Sequence, residues 1–290
     1  MTAPAILASP LKARRTPWVQ HSILPGFGLS LGITLTYLGA IVVLPLIALA
    51  ARPWELGIDG VWHALAAPRV LAALKLSFGL SALAALLNAP LGVLLAWTLT
   101  RYQFPGRRIL DALVDLPFAL PTAVAGIALT AIYAPNGPLG SLAAKVGIKT
   151  AYSPLGIFIA LVFIGLPFVV RSLQPVLQEL DHEVEEAATT LGANSLQRAV
   201  RVILPALGPS LISGVSLAFA RAVGEYGSVV FIAGNLPGKT EIAPLLIVIK
   251  LEQYDYAGAA AVGLAMVAIS FGSLVAINGL QLLLARRGRA

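Results

Sequence analysis

Long stretches without a charged side chain alternate with short polar segments along this chain, and that alternation predicts its architecture. The charge-free windows run over 22–51, 76–100, 116–144, 150–170 and 256–285, and a sixth apolar stretch, roughly Pro209–Ala233, is interrupted only by Arg221 and Glu225. About 20 apolar residues at a rise of about 1.5 Å per residue cross a hydrocarbon core of roughly 30 Å. Each window is long enough, which predicts six membrane-spanning helices in an all-α integral membrane protein. The first span lies within Gly28–Ala50. Pro90 should kink the second span, with Asn88 as a local partner for the freed backbone groups. Pro117 and Pro121 should break the start of the third. The apolar piece Ile242–Ile249 is too short to span and reads as an interfacial or re-entrant helix.

Composition agrees. The chain has 290 residues, 58% hydrophobic and 11% charged, whereas a soluble domain carries about 25% charged residues. There is no cysteine, so disulfides and thiolate sites are excluded, and the three histidines (His21, His63, His182) form no ligand cluster. The net charge of +7 comes from Lys and Arg at span ends, a topology signal rather than a nucleic-acid footprint. With the N-terminus inside, Lys12, Arg14, Arg15, Arg101, Arg107, Arg108, Arg171, Arg198, Arg201, Arg286, Arg287 and Arg289 are cytoplasmic. Arg52, Arg69, Lys75, Lys145, Lys149, Lys239 and Lys250 are outside. Both termini are therefore expected inside. Residues 1–21 read as an uncleaved cytoplasmic tail, 22–285 as a six-span domain with a core near 72–281, and 286–290 as a basic cytoplasmic tail.

One polar segment stands apart. Five of the thirteen acidic residues (Glu179, Asp181, Glu183, Glu185, Glu186) fall in one short run, at the head of a cytoplasmic loop over 179–205. The segment reads as two short helices. The first ends at Gly192, the second is capped by Asn194 or Ser195, and Pro205 starts a new segment. Arg221 and Glu225, four apart in the fifth span, are spaced to pair on one helix face. Ionisable residues at that depth are costly, which makes them candidates for the translocation path or a gate. Gly224 and Gly227 flank Glu225 and permit unwinding there. Gly234–Thr240 has three residues between its glycines where a phosphate-binding loop needs four, so no nucleotide site is assigned to it.

The spacing Glu186-Ala187-Ala188, three residues, Gly192, nine residues, Val202-Ile203-Leu204-Pro205 resembles the EAA loop of permease subunits in bacterial ABC importers. Val202 departs from the usual Ile. Longer stretches, RYQFPGR (Arg101–Arg107), DLPFALPTAVAGI (Asp115–Ile127), PFVVRSLQPVL (Pro167–Leu177), ARAVGEYGSVVFIAGN (Ala220–Asn235) and KLEQYDYAGA (Lys250–Ala259), are similar to the T-subunit family of sulfate/thiosulfate permeases. The resemblance implies a type I ABC importer permease fold in the bacterial plasma membrane. It also implies ATPase coupling through Glu185, Glu186, Ala187, Ala188 and Gly192, and a path or gate at Arg221, Gly224, Glu225 and Tyr226. The implied partners are a second permease subunit of W type, an ATPase dimer and a periplasmic or tethered sulfate/thiosulfate-binding protein, with the bilayer as surroundings. No catalysis, metal or cofactor is expected in this chain; ATP and Mg would belong to the ATPase. A molybdate/tungstate permease, the sister W subunit and, in another class, a stand-alone secondary anion transporter or channel remain alternative readings.

Overall fold

The computed structural model describes residues 26–287; the predicted tail over 1–21, and Arg289 with its neighbours, lie outside the described residues. The chain divides into two compact units, Met1–Ala48 and Leu49–Ala290. The first, as far as it is described, holds α1 (Phe27–Leu38), a π-helical turn at Gly39–Val43 and the start of α2 (Leu44–Ala51). Its apolar side chains are exposed from Phe27 to Ile47, as lipid-facing residues of a span would be.

The second unit continues through a 3₁₀ turn at Arg52–Leu56 into α3 (Gly57–Ala66) and α4 (Pro68–Arg101). Next come α5 (Arg107–Ala119), α6 (Thr122–Tyr133), α7 (Pro138–Lys145) and α8 (Pro154–Glu179). Beyond them lie α9 (His182–Thr190), α10 (Ser195–Arg198), a π-helical turn at Ala199–Ile203 and α11 (Leu204–Val223). The chain finishes with α12 (Val229–Ile232), α13 (Ala243–Glu252) and α14 (Tyr256–Arg287). Among the described residues, five helical runs are long and apolar enough to cross a membrane, or six when the bent pair α5–α6 is taken as one span.

Helix α8 is the axis of the second unit, with α4 and α11 against it. Val169, Val170, Leu173 and Leu177 of α8 share one apolar core with Ala96 and Leu99 of α4 and Leu207, Ala218 and Phe219 of α11. The approach is close enough to require glycine: a Cβ on Gly92 would lie 2.5 Å from Val169 Cγ1. A second core, around Ile157, Ala160, Ala222, Val229 and Ile232, holds the start of α8 against α12.

The prolines act differently from one another. Helix α4 continues through Pro90, and Asn88 Nδ2 donates to the Val162 carbonyl of α8 at 3.1 Å, so Asn88 ties two helices rather than repairing its own. The third span breaks at Leu120–Pro121, where α5 and α6 meet at 116°. Proline disfavours helical geometry at the preceding residue, and Leu120 (φ −86°, ψ 137°) and Pro121 (φ −55°, ψ 135°) are both extended. That span stops at Tyr133, and a turn closed by Gly137 N donating to the Ala134 carbonyl leads into α7. Pro205 starts no new segment: it sits in the first turn of α11, and the helical run Ser195–Val223 is continuous. The short stretch 242–249 forms a helix, α13, and packs one side into the core, with Ala243, Leu245 and Leu246 buried.

One strong tie joins distant parts of the second unit. Arg69 Nε and Nη2 donate to Glu241 Oε2 and Oε1 at 2.8 and 2.7 Å, pinning the segment before α13 to the start of α4. Ser77 Oγ accepts from Ala243 N close by. Glu241 is buried while Arg69 is half-exposed. Glu241→Gln is expected to lower stability by about 1–2 kcal/mol, read as a lower thermal midpoint of the purified protein in detergent. An unchanged midpoint would show that water replaces the carboxylate without cost.

Candidate functional site: a polar helical hairpin and an unwound span

The hairpin forms for local reasons. Asp181 caps α9 by accepting from Glu183 N at 3.1 Å, and Glu183 and Glu185 lie in its first turn, where carboxylates suit the helix dipole. Gly192 follows α9 at φ 84°, the left-handed region that costs other residues. Asn194, rather than Ser195, caps α10: it forms a reciprocal capping box with Gln197 at 2.8 and 2.9 Å.

The predicted coupling residues separate into two groups. Glu186, Ala187 and Gly192 are exposed and Ala188 is half-buried. Glu185 turns to the bundle: Arg101 Nη2, at the end of α4, donates to its Oε1 at 2.7 Å and to the Leu180 carbonyl at 3.3 Å. The Arg101 guanidinium also sits 5.4 Å from the Trp97 ring centre. The hairpin is thus anchored to α4 by a salt bridge and runs without a break into α11. At its tip, Leu191 is 88% exposed and Leu196 73%. Sequence reading passed over both leucines, although exposed apolar residues in a polar loop are the usual sign of a contact surface.

The fifth span unwinds at the predicted place. Helix α11 ends at Val223 instead of continuing to Ala233, and Gly224–Gly227 carries no helix. Arg221, in the last turn, lies 2.6 Å from Glu225, whose side chain is 2% exposed against 36% for Arg221. Glu225 Oε1 also accepts from Ser228 N and Ser228 Oγ at 2.9 and 3.0 Å. The carboxylate is the buried member, with three donors, and it fixes a cation that remains half-accessible. Gly224 is exposed, and Tyr226 packs against the second core. Against this segment lies the other break in the bundle. A Cβ on Gly126 of α6 would lie 2.4 Å from the Ser228 carbonyl oxygen, and one on Gly227 would lie 2.2 Å from Thr122 Oγ1. Two interrupted helices meet at one point.

Arg171 makes a further cluster. It donates to Asp115 Oδ1 (2.8 Å), Asp111 Oδ1 (2.7 Å), Gln174 Oε1 (2.5 Å) and the Asp111 carbonyl (3.1 Å), clamping α5 to α8. Its sequence signal is the i, i+4 spacing of the two aspartates. On the opposite side, Lys250 Nζ, 2.7 Å from Asp255 Oδ2, holds that carboxyl below the usual range; burial opposes this and Gly258 N–H reinforces it. Gly234–Thr240 is a turn closed on itself. The Leu236 carbonyl accepts from the N–H groups of Lys239, Thr240 and Glu241, and Leu236 N donates to Thr240 Oγ1.

A bundle of spans with two interrupted members and a polar hairpin before the fifth fits a membrane transport component. Residues 88–290 match the family model described as "Binding-protein-dependent transport system inner membrane component", and the chain belongs to that family of multi-pass inner-membrane proteins. Among curated relatives, the sulfate transport system permease protein CysT of Salmonella typhimurium is 48% identical, covering 92% of this chain and 97% of that protein. CysT of Escherichia coli is 47% identical with the same coverage. CysT of Synechocystis is 49% identical over 86% of this chain and 87% of its own. Among solved structures, a bacterial ABC transporter involved in the import of the acidic polysaccharide alginate superposes with a TM-score of 0.73 at 16% identity, over 88% of this chain and 94% of that one. A bacterial alginate ABC transporter in complex with alginate pentasaccharide-bound periplasmic protein gives 0.72 at 17% identity, over 87% and 92%. At that identity the likeness concerns the fold.

Proposed function

We propose that this chain is the T-type permease subunit of an ATP-driven sulfate/thiosulfate importer, forming the translocation path together with a W-type permease. A periplasmic or tethered binding protein delivers the anion, and a separate ATPase dimer, which carries ATP and Mg, drives the cycle. The chain itself hydrolyses nothing. The substrate reading rests on nearly half-identity to CysT permeases along almost the whole chain.

The observation that carries the coupling role is the hairpin. Its tip offers Leu191 and Leu196 to a partner, and Glu186, Ala187 and Gly192 lie exposed beside them. Its base is fixed to α4 by Arg101–Glu185 and continues as the helix that ends at Arg221. A push on the hairpin therefore moves α11 as a rigid rod toward the unwound segment. There Arg221, held by a buried carboxylate, is the fixed cation that a passing dianion meets.

The test is ATP hydrolysis by the reconstituted transporter with its binding protein and sulfate, thiosulfate or molybdate. Stimulation by sulfate or thiosulfate is expected, and stimulation by molybdate alone would overturn the substrate. Gly192→Val should remove the stimulation while the protein still inserts. A Cβ there meets no atom within 4 Å, so the change acts by backbone strain of about 1–2 kcal/mol. Normal stimulated turnover in Gly192→Val would contradict the coupling role.

A further inference from the structure

At the end of the bundle that carries the hairpin, the last turn of α4, the turn before α5, the first turn of α5 and the end of α8 enclose a cavity of about 640 Å³. That is within the roughly 300–1,000 Å³ usual for ligand sites. Its wall is polar in a largely apolar protein. Arg107, Arg108, Arg171, Gln103, Gln174 and Gln178 face it, with Asp111 as the one carboxylate. Asp111 is already engaged by Arg171 and Gln174, and Asp115 takes up the rest of the Arg171 fork. Among the described residues, neither Arg107 nor Arg108 forms an ion pair. The cavity thus holds two guanidiniums with no direct carboxylate contact, Arg107 lying within electrostatic range of Asp111, plus the unengaged amides of Gln103 and Gln178. Guanidinium forks match the oxygens of a tetrahedral oxyanion, and amides complete its shell of donors.

We propose that this cavity binds a phosphate-type oxyanion through Arg107, Arg108, Gln103 and Gln178. Two sources share that chemistry: the headgroup of an anionic phospholipid in the adjacent leaflet, and free inorganic phosphate. Ile109 lines the cavity and is exposed, and Leu113, one turn further along α5, is exposed as well. A headgroup seated among the arginines leaves this apolar face for its acyl chains, the geometry of basic pockets between spans that take anionic headgroups. The site is separate from the Arg221–Glu225 segment and does not depend on which anion is transported.

The experiment is thermal denaturation of the full-length chain in a neutral detergent, titrated with dihexanoyl phosphatidylglycerol, dihexanoyl phosphatidylcholine or inorganic phosphate. R107Q/R108Q is run beside the unmodified chain. Phosphatidylglycerol, and not phosphatidylcholine, is expected to raise the midpoint. The double variant should need at least about tenfold more of it, as two charge-assisted contacts are lost, with its midpoint without additive unchanged. A rise with inorganic phosphate that R107Q/R108Q removes assigns the same site to a free anion. No rise with either phosphate compound, or a rise undiminished in the variant, overturns the proposal. Should the double variant fold poorly, R108Q alone makes the same comparison, since Arg108 is exposed.

Discussion

Glu225→Ala is expected to lower the stability of the chain by on the order of 3 kcal/mol and to abolish uptake. The carboxylate is buried and has three donors: Arg221 at 2.6 Å, Ser228 N and Ser228 Oγ. Its removal strands all three. Ser228 is fully buried, so water cannot replace the acceptor, and the guanidinium loses the group that neutralises it inside the span. The measurement is the thermal midpoint in detergent together with anion uptake in vesicles. Arg221→Ala should behave differently. It leaves Glu225 with its two Ser228 donors, so the complex should assemble while uptake falls. If Arg221→Ala instead prevents assembly, the pair is structural and the path lies elsewhere.

Gly126→Val should be nearly as damaging, by another route. A Cβ at that position would lie 2.4 Å from Ser228 O and 2.7 Å from Ser228 Cα. Those are backbone atoms, and no rotamer change relieves the contact. Overpacking of this kind costs about 1–3 kcal/mol, and the strain falls on the junction between α6 and the unwound segment. Uptake should drop with insertion intact, and Gly126→Ala should show a smaller loss in the same direction. Gly208→Ala, in α11 with no atom within 4 Å of its would-be Cβ, is the control and should leave the stability unchanged or raise it by up to about 1 kcal/mol. Equal behaviour of Gly126→Ala and Gly208→Ala would mean that the two broken helices do not bear on one another.

Much of this was legible in the order of residues because the signals are local. A window without charges is a statement about transfer into hydrocarbon and needs no knowledge of neighbours, so six windows became six spans. Leu120 before Pro121, Gly192 after α9, and Gly224 and Gly227 around Glu225 are backbone effects that reach only a few residues. The misplacements had causes beyond that range. Pro205 fits the first turn of a helix as well as a break, and the capped helix before it simply ran on. Asn88 was paired with its own helix because the carbonyl of Val162, 74 residues away, was out of sight. The segment 242–249 is too short to span, and length is silent about how much of its helix packs into the core.

The sequence by itself determined that this chain lives in a bilayer, how many times it crosses, and which hairpin stands out of it. Hydrophobic length, proline and glycine are sufficient causes of those features. Only the tertiary structure decided the use of its charges. Glu185 and Glu186 are neighbours of identical chemistry, yet one is bound by Arg101 from 84 residues away and the other faces water. Glu241 is buried because Arg69, 172 residues earlier, reaches it. In the Arg221–Glu225 pair it is the carboxylate that is hidden and the guanidinium that remains accessible. An ion pair depends on distances of a few ångströms between atoms that the chain brings together only by folding, so no local pattern could have assigned those partners.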